Sequence, residues 1–215
     1  MEKEVRGRVV EIEPNSKPYL LKRIIADGFD TVLVFLLFMV AALVVMKTPL
    51  ASTYDAHYAR LTSIRDEVLS EYGKDAEKIN AALNANEEYR YAEFAANLHS
   101  YLLKVLAAVI AEALVLILVP LLNRDRATPG KLLTGIMPFS ERRQSRISWK
   151  QVVGRFFFVL ILDSVFWYLL TGILTFLLIP VFRLVELLLS KKQRTICDYV
   201  SGVTMIEKIS YEGIN

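Results

Sequence analysis

The sequence predicts an all-α polytopic membrane protein with four transmembrane helices, the last two a short hairpin, together with a small helical extracytoplasmic cap and a small cytoplasmic β-sheet. Three observations predict it. Hydrophobic residues make up 54% of the chain while charged residues make up 23%, so the apolar residues must be segregated into blocks. The blocks are long enough to cross a hydrocarbon core about 30 Å thick. The charges between them are placed asymmetrically, with basic residues gathered in alternate loops. The same composition excludes other classes. A net charge of +3 is too mild for a nucleic-acid-binding face, so no nucleic-acid partner is expected. The one cysteine, Cys197, cannot form an internal disulfide, and two histidines offer no zinc-site spacing, so neither metal nor cofactor is expected. No nucleophile–base arrangement is visible, and no enzyme is expected.

Residues 1–22 form a cytoplasmic N-terminal segment in which Val5, Gly7 and Val9 alternate with Arg6 and Arg8, a weak strand pattern. Residues 23–46 are the first span, with an unbroken apolar run over 32–46. That run starts too late and is too long for a cleavable signal peptide. Residues 47–100 are an extracytoplasmic insertion. There Leu61, Ile64, Val68 and Tyr72, spaced by three and four, predict an amphipathic helix ending near Gly73. Ile79 and Leu83 extend the pattern, and Asn86 before Glu87 and Glu88 reads as the N-cap of a helix continuing into the second span. The insertion is net acidic, which reads as an ordinary solvated face, with a cation-attracting vestibule as the alternative.

The second span, 101–122, is interrupted by Lys104 and Glu112. Residues 123–151 form a loop rich in arginine and lysine, cytoplasmic by the positive-inside rule. Within it Thr128 can cap a short helix with Pro129 in its first turn, leaving Lys131 on the polar face toward lipid phosphates. The β-branched and apolar stretches 134–139 and 203–209 are expected to pair, with the N-terminal segment, into the cytoplasmic sheet. The block 152–189 would be about 57 Å long as one helix, nearly twice the hydrocarbon thickness. It is expected to fold back at Thr171-Gly172, with Trp167-Tyr168 at the membrane boundary, giving helices over 155–170 and 173–189. The alternative is one span broken at Pro180 and followed by an interfacial helix. Residues 190–215, opening with Lys191, Lys192 and Arg194, then lie in the cytoplasm with the N-terminus. No internal repeat is evident.

An ionisable side chain at membrane depth costs roughly 2.5–3.5 kcal/mol on insertion scales, so each needs a partner, water or a purpose. Arg23, Asp27 and Asp30 share one helical stripe. Asp27 can pair with Arg23, whereas Asp30 needs another partner: Arg23 and Arg155 are both candidates, and Arg155 can otherwise snorkel to phosphates. Arg183 and Glu186, three apart, can neutralise each other. Glu112 and Asp163 lie at mid-depth in their blocks. A carboxyl there takes up a proton when desolvated, and a group that holds either a proton or a metal cation is what a proton-coupled cation carrier requires. Protonated acids that hold helices together are the alternative.

These segments resemble the RDD family of bacterial integral membrane proteins, named for one arginine and two aspartates. The family pattern falls on Arg23, Ala26 and Asp30 in the first span, on Thr128-Pro129-Gly130-Lys131 followed by Gly135-Ile136 in the central loop, on Arg155, and on Asp198 as the second aspartate. Many relatives carry histidine where this chain has Cys197, and the spacing after Asp198 is one residue longer here. The resemblance covers roughly 20–46 and 101–207. It implies a multi-pass protein of the bacterial inner membrane, and some family members are described as sodium/proton antiporters. The expectation is a secondary transporter exchanging a monovalent cation for protons, working as a homo-oligomer in the lipid bilayer. Arg23, Asp30 and Asp198, with Asp27 and Arg155, would form its charge cluster, and Glu112 and Asp163 its exchange carboxyls. The alternative is a non-transporting adaptor or assembly factor whose buried charges are structural.

Overall fold

The structure is a computed structural model that describes residues 17–140, 145–161, 175–190 and 193–207. It divides into two compact units, one built from 1–37 and 111–215, the other from 38–110. The boundaries fall inside two long helices, α1 (Lys17–Val45) and α4 (Glu87–Ala113).

The unit over 38–110 is helical throughout its secondary structure. After a short 3₁₀ turn at Pro49–Ala51 come α2 (Ser52–Tyr72) and α3 (Ala76–Ala85), then α4. Ile64, Val68 and Leu83 form a buried cluster flanked by Tyr72, Ile79 and Tyr89, the residues whose periodicity marks these helices in the sequence. Local chemistry sets the breaks. Asp75 accepts from the Lys78 N–H to cap α3, and Asn86 accepts from the Tyr89 N–H at 2.9 Å to cap α4.

In the other unit, α1 buries Arg23, Ala26, Asp30 and Val34, while Leu21, Ile25, Phe29, Val32 and Leu36 are exposed. Polar residues face inward and apolar ones outward, the reverse of a soluble helix and the arrangement a lipid surround requires. The helix begins earlier than the span predicted from 23, because Pro18 in its first turn sacrifices no internal hydrogen bond. From α4 the chain continues through a π-helical turn, Leu114–Leu118, into α5 (Val119–Leu122). The Val119 N–H bonds back five residues to the Leu114 carbonyl. Pro120 follows directly; it has no N–H and crowds the carbonyl four residues earlier, and the wider turn accommodates both defects.

Next come α6 (Pro129–Thr134), β1 (Ile136–Ser140), β2 (Ser145–Arg146), α7 (Trp149–Val159), α8 (Thr175–Leu189), α9 (Ile196–Ser201) and β3 (Val203–Glu207). The three strands form an antiparallel sheet in the order β2-β1-β3. The predicted pairing of 134–139 with 203–209 is therefore present, while the N-terminal strand candidate lies outside the described residues. Ile136, Ile147, Val152, Val203 and Met205 pack with Ala26 into the core of this unit.

Two readings are corrected. The alternative of a helix broken at Pro180 does not hold, since α8 runs through that residue. The chain also contains an internal repeat that sequence inspection overlooks: α6–β1 and α9–β3 share one plan. Each starts with a threonine N-cap, Thr128 or Thr195, runs six helical residues, and turns at a left-handed glycine, Gly135 (φ +69°) or Gly202 (φ +62°), into a strand. The two strands then pair in a symmetric register, Ile136 opposite Glu207 and Ser140 opposite Val203. The hairpin bend expected at Thr171-Gly172, with Trp167, Tyr168 and Asp163, lies outside the described residues.

Gly130 permits α6 to touch α1. A Cβ at this position would come within 2.1 Å of the Ala26 carbonyl oxygen, whereas one at Gly28 would meet nothing within 4 Å. Gly130→Ala is therefore expected to destabilise the protein by about 3 kcal/mol, and Gly28→Ala to leave it unchanged or slightly more stable. Thermal unfolding of the two variants in detergent checks this; equal midpoints would contradict the contact.

Candidate functional site

Arg23, Asp27, Asp30, Lys131, Arg155 and Asp198 are brought together at the sheet-bearing end of α1, in two linked clusters. The first is built around Asp198. Thr195 and Asp198 form a capping box at the start of α9, so the carboxylate already accepts from the Thr195 N–H. Its Oδ2 also accepts from Arg23 Nη2 at 2.6 Å, and its Oδ1 from Arg155 Nη2 at 2.5 Å. Arg23 additionally donates to the Gln193 carbonyl. Gln193 holds a left-handed φ of +49°, a conformation that costs a non-glycine residue about 1 kcal/mol or more. Arg23 is 2% exposed and Asp198 0%. Burial on its own would raise the Asp198 pKa; the Arg155 and Arg23 guanidiniums outweigh it and hold the carboxyl well below the usual carboxylate range.

The second cluster joins α1 to α6. Asp30 Oδ1 accepts from the Gly130 N–H at 2.7 Å, and its Oδ2 accepts from the Thr128 hydroxyl. Thr128 occupies the N-cap position as predicted, but its side chain serves Asp30 instead of its own helix, and Asp30 takes over the capping. Lys131 Nζ donates to Thr128 Oγ1 at 3.1 Å, Asp27 Oδ1 at 3.2 Å and Asp30 Oδ2 at 3.4 Å. All four side chains are buried or half-buried.

Two pairings expected from the sequence are thereby corrected. Arg155 pairs with Asp198, not with Asp30, and among the described residues the partners of Asp30 come from α6 and its cap. Lys131 is buried against two aspartates instead of reaching lipid phosphates, because the short helix presents its third position to α1. Lys131 and Asp198 hold equivalent places, three residues after the threonine caps of the two repeats. One repeat thus offers α1 a cation for its acids, and the other an acid for its arginine.

Arg23, Asp27, Asp30, Lys131 and Arg155 line a common cavity with Arg126, Arg183, Thr195 and Cys197. Thr128 also lines it, and the rest of its wall, including Leu116, Pro120, Phe156 and Val159, is apolar. Glu112 is buried two residues before the π-helical segment and does not line this cavity. Asp163 lies outside the described residues.

Helices over Leu20–Val45 and Glu87–Leu122 are long and apolar enough to cross a membrane. With an apolar outer face and buried ionic clusters, they define a membrane protein whose first span is tied by charge to two short helix–strand repeats. The sequence pattern of the RDD family matches residues 17–202, and the chain belongs to that family. The resemblance carried by Arg23, Asp30 and Asp198 thus holds at family level. No curated protein and no solved structure gives a match.

The depressed Asp198 pKa makes stability pH-dependent. Its contribution is fully present above the unfolded value near 3.9 and disappears as pH falls through the lower folded value. Asp198→Asn, which leaves two buried arginines short of a carboxylate, is expected to cost about 3–5 kcal/mol at neutral pH and to flatten the stability profile below about pH 4. Denaturation followed between neutral and acidic pH measures both effects, and a profile identical to that of the parent protein would contradict the assignment.

Proposed function

We propose that this RDD protein is a secondary transporter of the bacterial inner membrane, with four spans and both termini in the cytoplasm, exchanging a monovalent cation for a proton. The carrying observation is the seat of Lys131. Its ammonium group lies among three oxygens, those of Thr128, Asp27 and Asp30, at 3.1 to 3.4 Å, beside a cavity. An ammonium is a compact point charge, and carboxylate and hydroxyl oxygens are also the donors that hard metal cations prefer. Lys131 is in effect a tethered monovalent cation. When Lys131–NH₃⁺ releases its proton, a monovalent metal cation can enter the same oxygens, and the charge of the site stays at −1. One proton leaves for each cation bound, which is antiport chemistry.

This reading transfers the exchange role from Glu112 and Asp163 to the Asp27–Asp30–Lys131 group, which shares the cavity. A four-span chain encloses little space, so the pathway is taken to run between subunits of a homo-oligomer. In everted vesicles containing the full-length protein, Lys131→Gln is expected to abolish cation-dependent proton flux. Asp27→Asn should raise the cation concentration needed for half-maximal flux about tenfold or more, with exposed Lys78→Gln as the unaffected control. Parental flux from Lys131→Gln would sink the proposal.

The adaptor reading has one observation in its favour: the polar contacts of Arg23 and Asp30 tie α1 to residues 98 to 175 positions away in sequence, as structural ties would. It predicts loss of folded protein in the same variants, with no flux in the parent.

A further inference from the structure

The unit over 38–110 brings together the chain's two histidines, one from α2 and one from α4, which lie far apart in sequence. The ring centres of His57 and His99 are 5.4 Å apart, with the rings tilted by 32°. His57 also meets the Tyr91 ring edge-on at 6.0 Å, so its imidazole is held between two rings of α4. Tyr91, Ala95 and His99 follow one another at four-residue steps and share a helix face. The middle residue of the three is small, which leaves room for the incoming ring. Both histidines are half-buried.

The hydrogen bonding of His99 points to a ligand. Its Nδ1 lies 2.7 Å from the Ala95 carbonyl oxygen. A carbonyl only accepts, so Nδ1 carries the hydrogen, and in the neutral ring the lone pair is on Nε2. Metal-bound histidines are held in this way, since donating one N–H to a carbonyl fixes the ring and makes the other nitrogen a better ligand. Among the described residues, no protein group hydrogen-bonds to His99 Nε2 or to either ring nitrogen of His57. The spacing also suits a shared ion. With a metal–nitrogen bond of about 2.0–2.1 Å and ~1.1 Å more to the ring centre, two imidazoles on a tetrahedral ion have centres about 5.2 Å apart. The observed 5.4 Å is close to that separation. The segment 47–100 that surrounds the pair carries more acids than bases, a field that draws in cations.

We propose that His57 and His99 form a binding site for a divalent transition-metal ion of the zinc class, with His99 Nε2 and a ring nitrogen of His57 as its protein ligands. Imidazole nitrogen suits such ions, whereas magnesium and calcium take oxygen. Among the described residues no group of three or more His, Cys, Asp and Glu side chains is placed to hold a metal, so two positions of the tetrahedron fall to water or an outside ligand. The bound ion ties α2 directly to α4. The site stands independently of the exchange reading, since neither histidine belongs to the Asp27–Asp30–Lys131 group.

The test uses the full chain without a histidine tag, freed of metal by chelation and titrated with zinc alone in neutral detergent, with binding read by calorimetry. One zinc per chain with a Kd below about 100 µM is the expected result. His57→Ala and His99→Ala should each weaken binding at least about tenfold, the least that losing an outer-shell partner costs. Cys197→Ser, which removes the chain's one thiol, should bind like the parent. Zinc should also raise the parent's thermal unfolding midpoint, because the paired nitrogens exist only in the folded state, and should not raise that of either alanine variant. If the alanine variants do not fold, the electron paramagnetic resonance spectrum of the parent loaded with copper(II) decides, and coupling to two nitrogens is expected. No saturable zinc binding in that range, alanine variants that bind like the parent, loss of binding in Cys197→Ser, or a copper spectrum without nitrogen coupling would overturn the proposal.

Discussion

The constraint on which the rest of this structure depends is the pairing of α1's buried charges. A helix that turns apolar residues to its surroundings cannot also leave Arg23, Asp27 and Asp30 unmatched within, because unmatched buried charges cost several kcal/mol each and together would consume the net stability of a domain. Asp198 meets the arginine and Lys131 meets the acids. These contacts fix where α6 and α9 must lie, and with them the strands that follow. The sheet is thus placed by electrostatics as much as by its apolar core of Ile136, Val203 and Met205.

Several local features follow from that placement. A residue with a side chain at 130 would hold α6 away from α1 and lengthen the Asp30 contacts, so the approach requires glycine. The glycines at 135 and 202 reverse the chain where each short helix gives way to its strand. The π-helical turn before Pro120 belongs to the same region, since Leu116 and Pro120 supply part of the cavity's apolar wall. The cavity is consequently bounded by two kinds of surface, one made of polar and charged side chains, the other of apolar ones.

Much of this was legible in the sequence. The three- and four-residue spacing of Leu61, Ile64, Val68 and Tyr72 marks α2, and the offsets of Arg23, Asp27 and Asp30 place them on one face, because helical periodicity is a local property. The partners of those charges were not legible. Arg23 finds Asp198 across 175 residues and Asp30 finds Gly130 across 100, and spacing alone gives no preference between Arg155 and Lys131 for either acid. The repeat did leave a signal: threonine, a charged residue three later, two apolar residues, glycine at plus seven and a β-branched residue at plus eight. It escapes inspection because a six-residue helix shows too little periodicity to detect, and because the charged residue changes sign between the copies, lysine in one and aspartate in the other.

The central claim is that Arg23 and Asp198 stabilise the fold through each other and not as separate polar residues. A double-mutant cycle with Arg23→Gln, Asp198→Asn and the combined variant, read by equilibrium unfolding in detergent at neutral pH, isolates that coupling. A coupling of about 2 kcal/mol or more, with the double variant more stable than the sum of the single losses predicts, is the expected result. Additive losses would contradict the account.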